Sequence, residues 1–307
     1  MVIEKFMPDQ IDKKIVSWNI ISGSVIGSSH ARVGLKNQDA ENHWVTECAA
    51  GHTIPLVLAI SDGHGSVKSF RSHTGSEYAV KVAVRAVRDF FDECSKNNID
   101  NLSLIKDELE NRLPRKIVQA WREEVETDVS RNPFTEEELK ELEKKSDARS
   151  VEAVLKDNKI VYGSTLLMAG IHNAFMFYMQ LGDGDILSVY EDGTTVRAVA
   201  RDEKLIANET TSFCSKDPWN EFRIKFYPVN ADFKFPELIL ISTDGYSNSF
   251  RDDDNFFKVG KDILDILRSE GAVSTECSIR EWLEASAKMS GDDVTLGMII
   301  KDYKKYI

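Results

Sequence analysis

Three stretches of this chain are nearly unbroken in apolar residues: IPLVLAIS from Ile54, NAFMFYMQL from Asn173 and ELILIST from Glu237. A strand with one wet face alternates polar and apolar residues, whereas a strand covered on both faces reads as a continuous run. The sheet or sheets that hold these segments are therefore expected to be sandwiched between other layers. After the second run, the Asp-Gly pairs at Asp183-Gly184 and at Asp192-Gly193, which joins ILSVYE to TTVRAVA, predict antiparallel pairing through tight turns. From Gly75 onward, SEYAVKVAVRAVRDFFDECSK has helical periodicity and predicts a cover for one sheet face.

Residues 97–156 are rich in Glu and Lys and read as helices. Asn101-Leu-Ser103 supplies one helix start, and Thr135 with Glu138 has the spacing of a capping box. Pro133 should separate two of these helices, and Pro114 should sit near the first turn of another. The run EEELKELEKK is ordinarily a solvated helix face; the functional alternative is a surface for a protein partner. No repeat, low-complexity tract or linker requires a second domain. Residues 1–307 are expected to form a single domain with a helical insertion at about 97–156.

The formal net charge of -12 disfavours nucleic acid and anionic membrane surfaces as partners, because the leading electrostatic term is repulsive. It suits a protein that holds metal cations or basic peptides. Cys48, Cys94, Cys214 and Cys277 are far apart, without the spacing of a zinc site, and are expected to be buried free thiols in a reducing compartment. The opening MVIEKFMPDQ has neither a basic n-region nor an apolar h-region, and no apolar run reaches bilayer length, which predicts a soluble cytoplasmic protein.

Four aspartates occupy related settings. Asp62 and Asp244 each follow an apolar run and precede glycine, in AISDGHGS and LISTDGYS; Asp39 lies in KNQDAEN and Asp292 opens DDVTLGMII. Carboxylates gathered at strand ends repel and raise one another's pKa values unless a cation neutralises them. An all-oxygen donor set without a Cys or His cluster points to a hard ion such as magnesium or manganese. Gly63 would let its carbonyl approach such an ion, and Gly65 permits a tight bend. Any one Asp-Gly pair is by itself a turn signal. The combination is what points to a metal centre.

In order along the chain, SHARVGLKNQDA, SDGHGS, YGSTLLMAG, LGDGD, STDGYS and GDDVT resemble the motif series of the metal-dependent protein phosphatase 2C family, most of all its bacterial branch. The resemblance runs from about Gly23 to Ile300 and leaves the helical segment after Asn97 unmatched. It implies an α+β fold: a four-layer αββα sandwich of two antiparallel β-sheets flanked by helices, with a two-metal site at one end. It also implies two Mn2+ or Mg2+ ions. Asp62 would bridge both, the Gly63 carbonyl would bind one, Asp244 and Asp292 would hold the other, and Asp39 matches the acidic position of the first motif. Asp293 would support the ligands rather than join them.

The chain departs from the family pattern at several positions. Gln38 stands where the first motif commonly has glutamate, which removes a carboxylate from the second metal. Gly34 takes the place of the usual phosphate-binding arginine. The expected substitutes are Arg32, whose guanidinium can grip phosphate through two parallel hydrogen bonds, and Lys36, a point charge. His30 is an alternative anion contact, although a lone loop histidine is more often structural. Before Gly163-Ser164-Thr165 no acidic residue is placed to hold a third metal, since Ile160 and Val161 are there and Asp157 lies further back. Gly184 and Asp185 replace the small residue and arginine that usually follow Gly-Asp, so Asp183 reads as a hairpin residue or a support for the site. Gly163-Ser164-Thr165 lacks the elbow and activating partners of a nucleophile and reads as close strand packing.

The resulting expectation is a phosphatase acting on phosphoserine and phosphothreonine in protein substrates, in which a metal-bridging hydroxide attacks phosphorus directly and no phosphoenzyme forms. His64, inside D-G-H-G, is the expected general acid for the leaving alkoxide. Two alternatives stay open at this level: a non-catalytic sensor or scaffold on the same fold, and a hydrolase of small phosphate esters.

Overall fold

The computed structural model describes residues 16–46, 54–96, 101–201, 210–230 and 232–303. Its strands form two five-stranded sheets. The first has the order β1 (Val16–Val25), β10 (Val294–Tyr303), β9 (Leu238–Ser242), β6 (Asp185–Val189), β7 (Thr195–Arg197). The second has the order β2 (Ala40–Val45), β3 (Leu56–Ser61), β4 (Leu166–Ile171), β5 (Phe175–Leu181), β8 (Arg223–Pro228). Every neighbouring pair is antiparallel.

The apolar runs are continuous because successive residues serve two cores. In β3, Val57 and Ala59 pack with helix α2 (Ser72–Lys96), while Leu56, Leu58 and Ile60 fill the seam between the sheets. In β9, Leu238 and Leu240 pack with α8 (Asp253–Glu270) and α9 (Ala272–Ser290), and Ile239 and Ile241 face the seam. Each fully buried leucine or isoleucine contributes about 1.5–3 kcal/mol relative to exposure. The result is the α+β four-layer sandwich that the motif series implied.

Outside α2 lie α3 (Leu102–Asp107), α4 (Leu113–Arg131), α5 (Glu136–Lys145) and α6 (Ala148–Lys156). Asn101 caps α3 by accepting from the Ser103 and Leu104 amides, and Thr135 and Glu138 form the capping box of α5. Pro114 does lie in the first turn of α4, yet the chain arrives there already helical. Proline has no N–H to return to the preceding turn, and the Leu113 amide bonds five residues back to Glu108, which widens Glu108–Arg112 into a π-type turn. Trp121 of α4 is fully buried, and its Nε1 donates to the Gly75 carbonyl at 2.9 Å, which ties α4 to α2.

Two expectations are corrected. Asp192-Gly193 closes the β6–β7 hairpin, with Gly193 at φ 83, but Asp183-Gly184 closes no hairpin, because β5 and β6 belong to different sheets. That turn carries the chain across the seam, so closely that a Cβ on Gly184 would lie 2.5 Å from the Ser242 carbonyl oxygen. A turn signal specifies a reversal and not the strand that receives the chain. Of the described cysteines, all free, Cys94 is buried, Cys214 half-buried and Cys277 exposed; Cys48 lies outside the described residues. Among the described residues no helix is long and apolar enough to cross a membrane.

Candidate functional site

The ends of the buried strands meet at one end of the sandwich around a cleft of 510 Å³. Asp62 follows β3, Asp183 lies in the β5–β6 crossing, Asp244 starts the short helix α7 (Asp244–Ser247) after β9, and Asp292 and Asp293 precede β10. All five line the cleft, together with His30, Gln38, Gly63 and His64. A rigid sheet edge positions such groups better than free loops would.

Local pairing holds the D-G-H-G turn. The Asp62 amide donates to Thr165 Oγ1 at 3.0 Å, the Thr165 amide to the Asp62 carbonyl at 2.8 Å, and the His64 amide to the Gly163 carbonyl at 2.9 Å. Gly163-Ser164-Thr165 thus extends the β3–β4 pairing beyond the strand ends, with Ser164 fully buried opposite Gly63. A Cβ on Gly63 would lie 2.6 Å from the Gln38 carbonyl oxygen and 2.9 Å from that of Ser72, so only glycine fits.

Burial, with the charges of Asp39 and Asp244, holds the Asp62 carboxyl well above the usual carboxylate range. Burial and the charge of Asp183 raise Asp244 as well, and the Asp62 and Asp244 carboxyls bear directly on each other's hold on a proton. Asp39 stands behind the cleft wall. Its Oδ2 accepts from Thr243 Oγ1 and Thr295 Oγ1, both at 2.8 Å, and burial pushes its pKa up to about 8 against those hydrogen bonds. His64 is lowered by burial, which the charge of Asp183 opposes, and its Nε2 is buried without a partner. Gln38 Oε1 is buried without a partner too.

Asp293 is 2% exposed. It accepts from the Gly27 amide at 2.7 Å on Oδ1 and from the Gln38 amide at 2.6 Å on Oδ2, with His30 Nδ1 3.0 Å away from Oδ2. Asp185 is buried and paired with Arg197 Nε at 2.5 Å, facing β7 rather than the cleft.

Arg32 and Lys36 are not brought to the cleft. Both are exposed, and among the described residues no arginine or lysine lines it. The reason for Arg32 is helical geometry: His30 of α1 (Ser28–Val33) faces the cleft, and a residue two positions on is turned about 200° round the axis. Lys36 lies with Nζ 3.1 Å from His73 Nε2.

Asp62, the Gly63 carbonyl, Asp244 and Asp292 together make an all-oxygen donor set on one cleft, and a cation there would relieve the raised pKa values of Asp62 and Asp244. The donor chemistry fits a hard divalent ion. Among the described residues, however, no three Asp, Glu, His or Cys side chains close into a metal-holding group, so the expected two-metal centre goes further than the geometry does. Thr243 and Thr295 escaped the sequence reading, although Thr243 precedes Asp244 in S-T-D-G and Thr295 closes D-D-V-T.

A family model described as protein phosphatase 2C matches residues 26–284. The chain belongs to the protein phosphatase 2C family. Its enzyme class is that of the protein serine/threonine phosphatases. Among solved structures it is similar in fold to a bacterial serine phosphatase in point-mutant form, with a TM-score of 0.55 and 15% identity over 94% of this chain and 99% of that one. Another is PppA, a key regulatory component of T6SS in Pseudomonas aeruginosa, at TM-score 0.52 and 15% identity, covering 93% of this chain and 98% of that one. The serine/threonine phosphatase Stp1 from Staphylococcus aureus gives a TM-score of 0.52 at 14% identity and covers 98% of this chain and 100% of its own. No curated protein matches the sequence.

Proposed function

We propose that this phosphatase 2C protein, working as a single domain over residues 1–307, is a metal-dependent hydrolase of phosphoserine and phosphothreonine in protein substrates. The observation that carries the reading is the convergence of Asp62, Asp244 and Asp292 from three buried strand ends on one cleft. Asp62, the Gly63 carbonyl, Asp244 and Asp292 would hold Mn2+ or Mg2+, with Asp39 behind them. Such cations, when bound, supply Lewis acidity toward the phosphoryl oxygens and bring the pKa of water toward neutrality.

The chain's own residues do the rest. Asp293 ties the loops at Gly27 and Gln38 to the start of β10, which keeps the Asp292 side of the cleft in register with the Asp62 side. His64, with its buried and unpartnered Nε2, is assigned the protonation of the leaving alkoxide, a step worth about 10² to 10⁴ in rate for a positioned acid. Gln38 presents a neutral oxygen in place of a carboxylate, which lowers the negative charge a phosphate must approach. The free thiols suit a reducing, cytoplasmic setting.

The test is hydrolysis of an aryl phosphate and of a phosphoserine peptide with Mn2+ present and after chelation. Both activities should require metal, and Asp62→Asn should lower them about 10³-fold, since the lost charge stabilisation is several kcal/mol. Turnover that ignores chelation, or no turnover at all, sinks the reading; the second result would favour the non-catalytic scaffold.

A further inference from the structure

Beside the cleft lies a second concavity of 310 Å³. The two share Gln38, Gly65 and Ser66, so the loop after Asp62 is a common wall between them. Leu35, Val67 and Phe70 line the second pocket on one side and Leu142 of α5 on the other. Leu35 is 45% and Val67 42% exposed, so both offer aliphatic surface to a ligand in this pocket.

The charged groups at this pocket are already partnered. Glu138 receives both prongs of the Arg71 guanidinium, Nε to Oε1 and Nη2 to Oε2, each at 2.8 Å. Glu141 pairs with Lys145 at 3.2 Å. What remains for a ligand is mainly apolar surface, with the unpartnered Gln38 Oε1 at the shared wall. The pocket is also preformed: Arg71 lies over the Phe134 ring at 4.9 Å and Phe134 meets Phe70 edge-on at 5.6 Å, so α5 is fastened to the loop that follows the D-G-H-G turn.

We propose that this pocket is a subsite for an apolar side chain of the phosphoprotein substrate, a few residues from the phosphorylated one. The proposal rests on the reading of the neighbouring cleft as catalytic. Continuity carries it: an extended peptide advances about 3.3–3.6 Å per residue, so a chain with its phosphorylated residue in the cleft crosses the shared wall within a few positions. A volume of 310 Å³ suits one large aliphatic or aromatic side chain rather than a folded element. The subsite gives α5 a role in substrate choice, although none of the phosphatase 2C motifs falls within that helix.

The experiment compares kcat/KM for phosphoserine peptides that differ only by Leu or Ala at each position flanking the phosphoserine, with an aryl phosphate as control. At one position Leu should be preferred by at least about tenfold. Val67→Trp, which fills the pocket from an exposed position, should erase that preference and leave aryl phosphate hydrolysis unchanged; Leu35→Arg should do the same by placing a charge at the mouth. Equal rates for Leu and Ala peptides in an enzyme that hydrolyses aryl phosphate overturn the subsite alone. A preference that survives both variants overturns it as well. So does a dimer, seen by light scattering, that Val67→Trp abolishes, since a second copy would then be the occupant. No aryl phosphate hydrolysis with Mn2+ overturns the catalytic reading itself, and the subsite with it.

Discussion

Gln38 and Asp293 stand 255 residues apart in the chain, and the Gln38 amide donates to Asp293 Oδ2 at 2.6 Å. The other oxygen takes the Gly27 amide at 2.7 Å, so one buried carboxylate closes two loops onto the start of β10. Asp293→Ala would leave two N–H groups without an acceptor and should lower the unfolding free energy by about 2–4 kcal/mol. Asp293→Asn keeps one acceptor oxygen and should lose less. Denaturant unfolding measures both, and an unchanged midpoint for the alanine variant would contradict the clamp.

His64→Ala should slow phosphoserine peptides about 10²-fold or more while slowing an aryl phosphate much less, because the aryl oxygen leaves without needing a proton. Metal affinity, measured by calorimetry, should barely change. Equal slowing of both substrates would remove His64 from proton transfer and leave it a positioning role in the D-G-H-G turn.

Arg32→Ala and Lys36→Ala should each change kcat/KM for an aryl phosphate by no more than about threefold, well under the 1.4 kcal/mol that a tenfold effect represents. Both side chains are exposed and neither lines the cleft. A tenfold loss in either variant would mean that α1 or the loop after it turns toward bound phosphate.

Added Mn2+ should raise the melting temperature more at pH 8 than at pH 5. Asp39 is pushed up to about 8 by burial, and burial also raises Asp62 and Asp244. A carboxyl raised on folding holds its proton more tightly in the folded state, so its contribution is full below the unfolded pKa of about 3.9 and is lost as pH rises through the folded value. A cation competes with those protons, and its stabilisation grows over the same range. Taking the difference with and without metal at each pH removes the opposing titrations of His64, His73 and His172, which burial lowers. Equal shifts at both pH values would detach these carboxyls from metal binding.

The layered architecture was legible because covering both faces of β3, β5 and β9 forces apolar residues into consecutive positions, and the capping box at Thr135 and Glu138 formed as spaced. The aspartates of the cleft could be read from their places at strand ends. The β5–β6 crossing could not, since Asp183-Gly184 looks the same whether the next strand joins its neighbour or the opposite sheet. Nor could the direction of Arg32, which depends on which side of α1 packs inward.

The sequence by itself determined the layers of this protein and the residue types available for chemistry, because burial on two faces and donor character are written in local pattern. Only the tertiary structure decided that Asp39 retreats behind Thr243 and Thr295, that Asp293 clamps two loops at the cleft wall, and that α5 lines the pocket beside the cleft. Each of these depends on contacts between segments remote in the chain, as far apart as the 256 positions between Asp39 and Thr295, and no local pattern encodes which remote donor will meet a buried carboxylate.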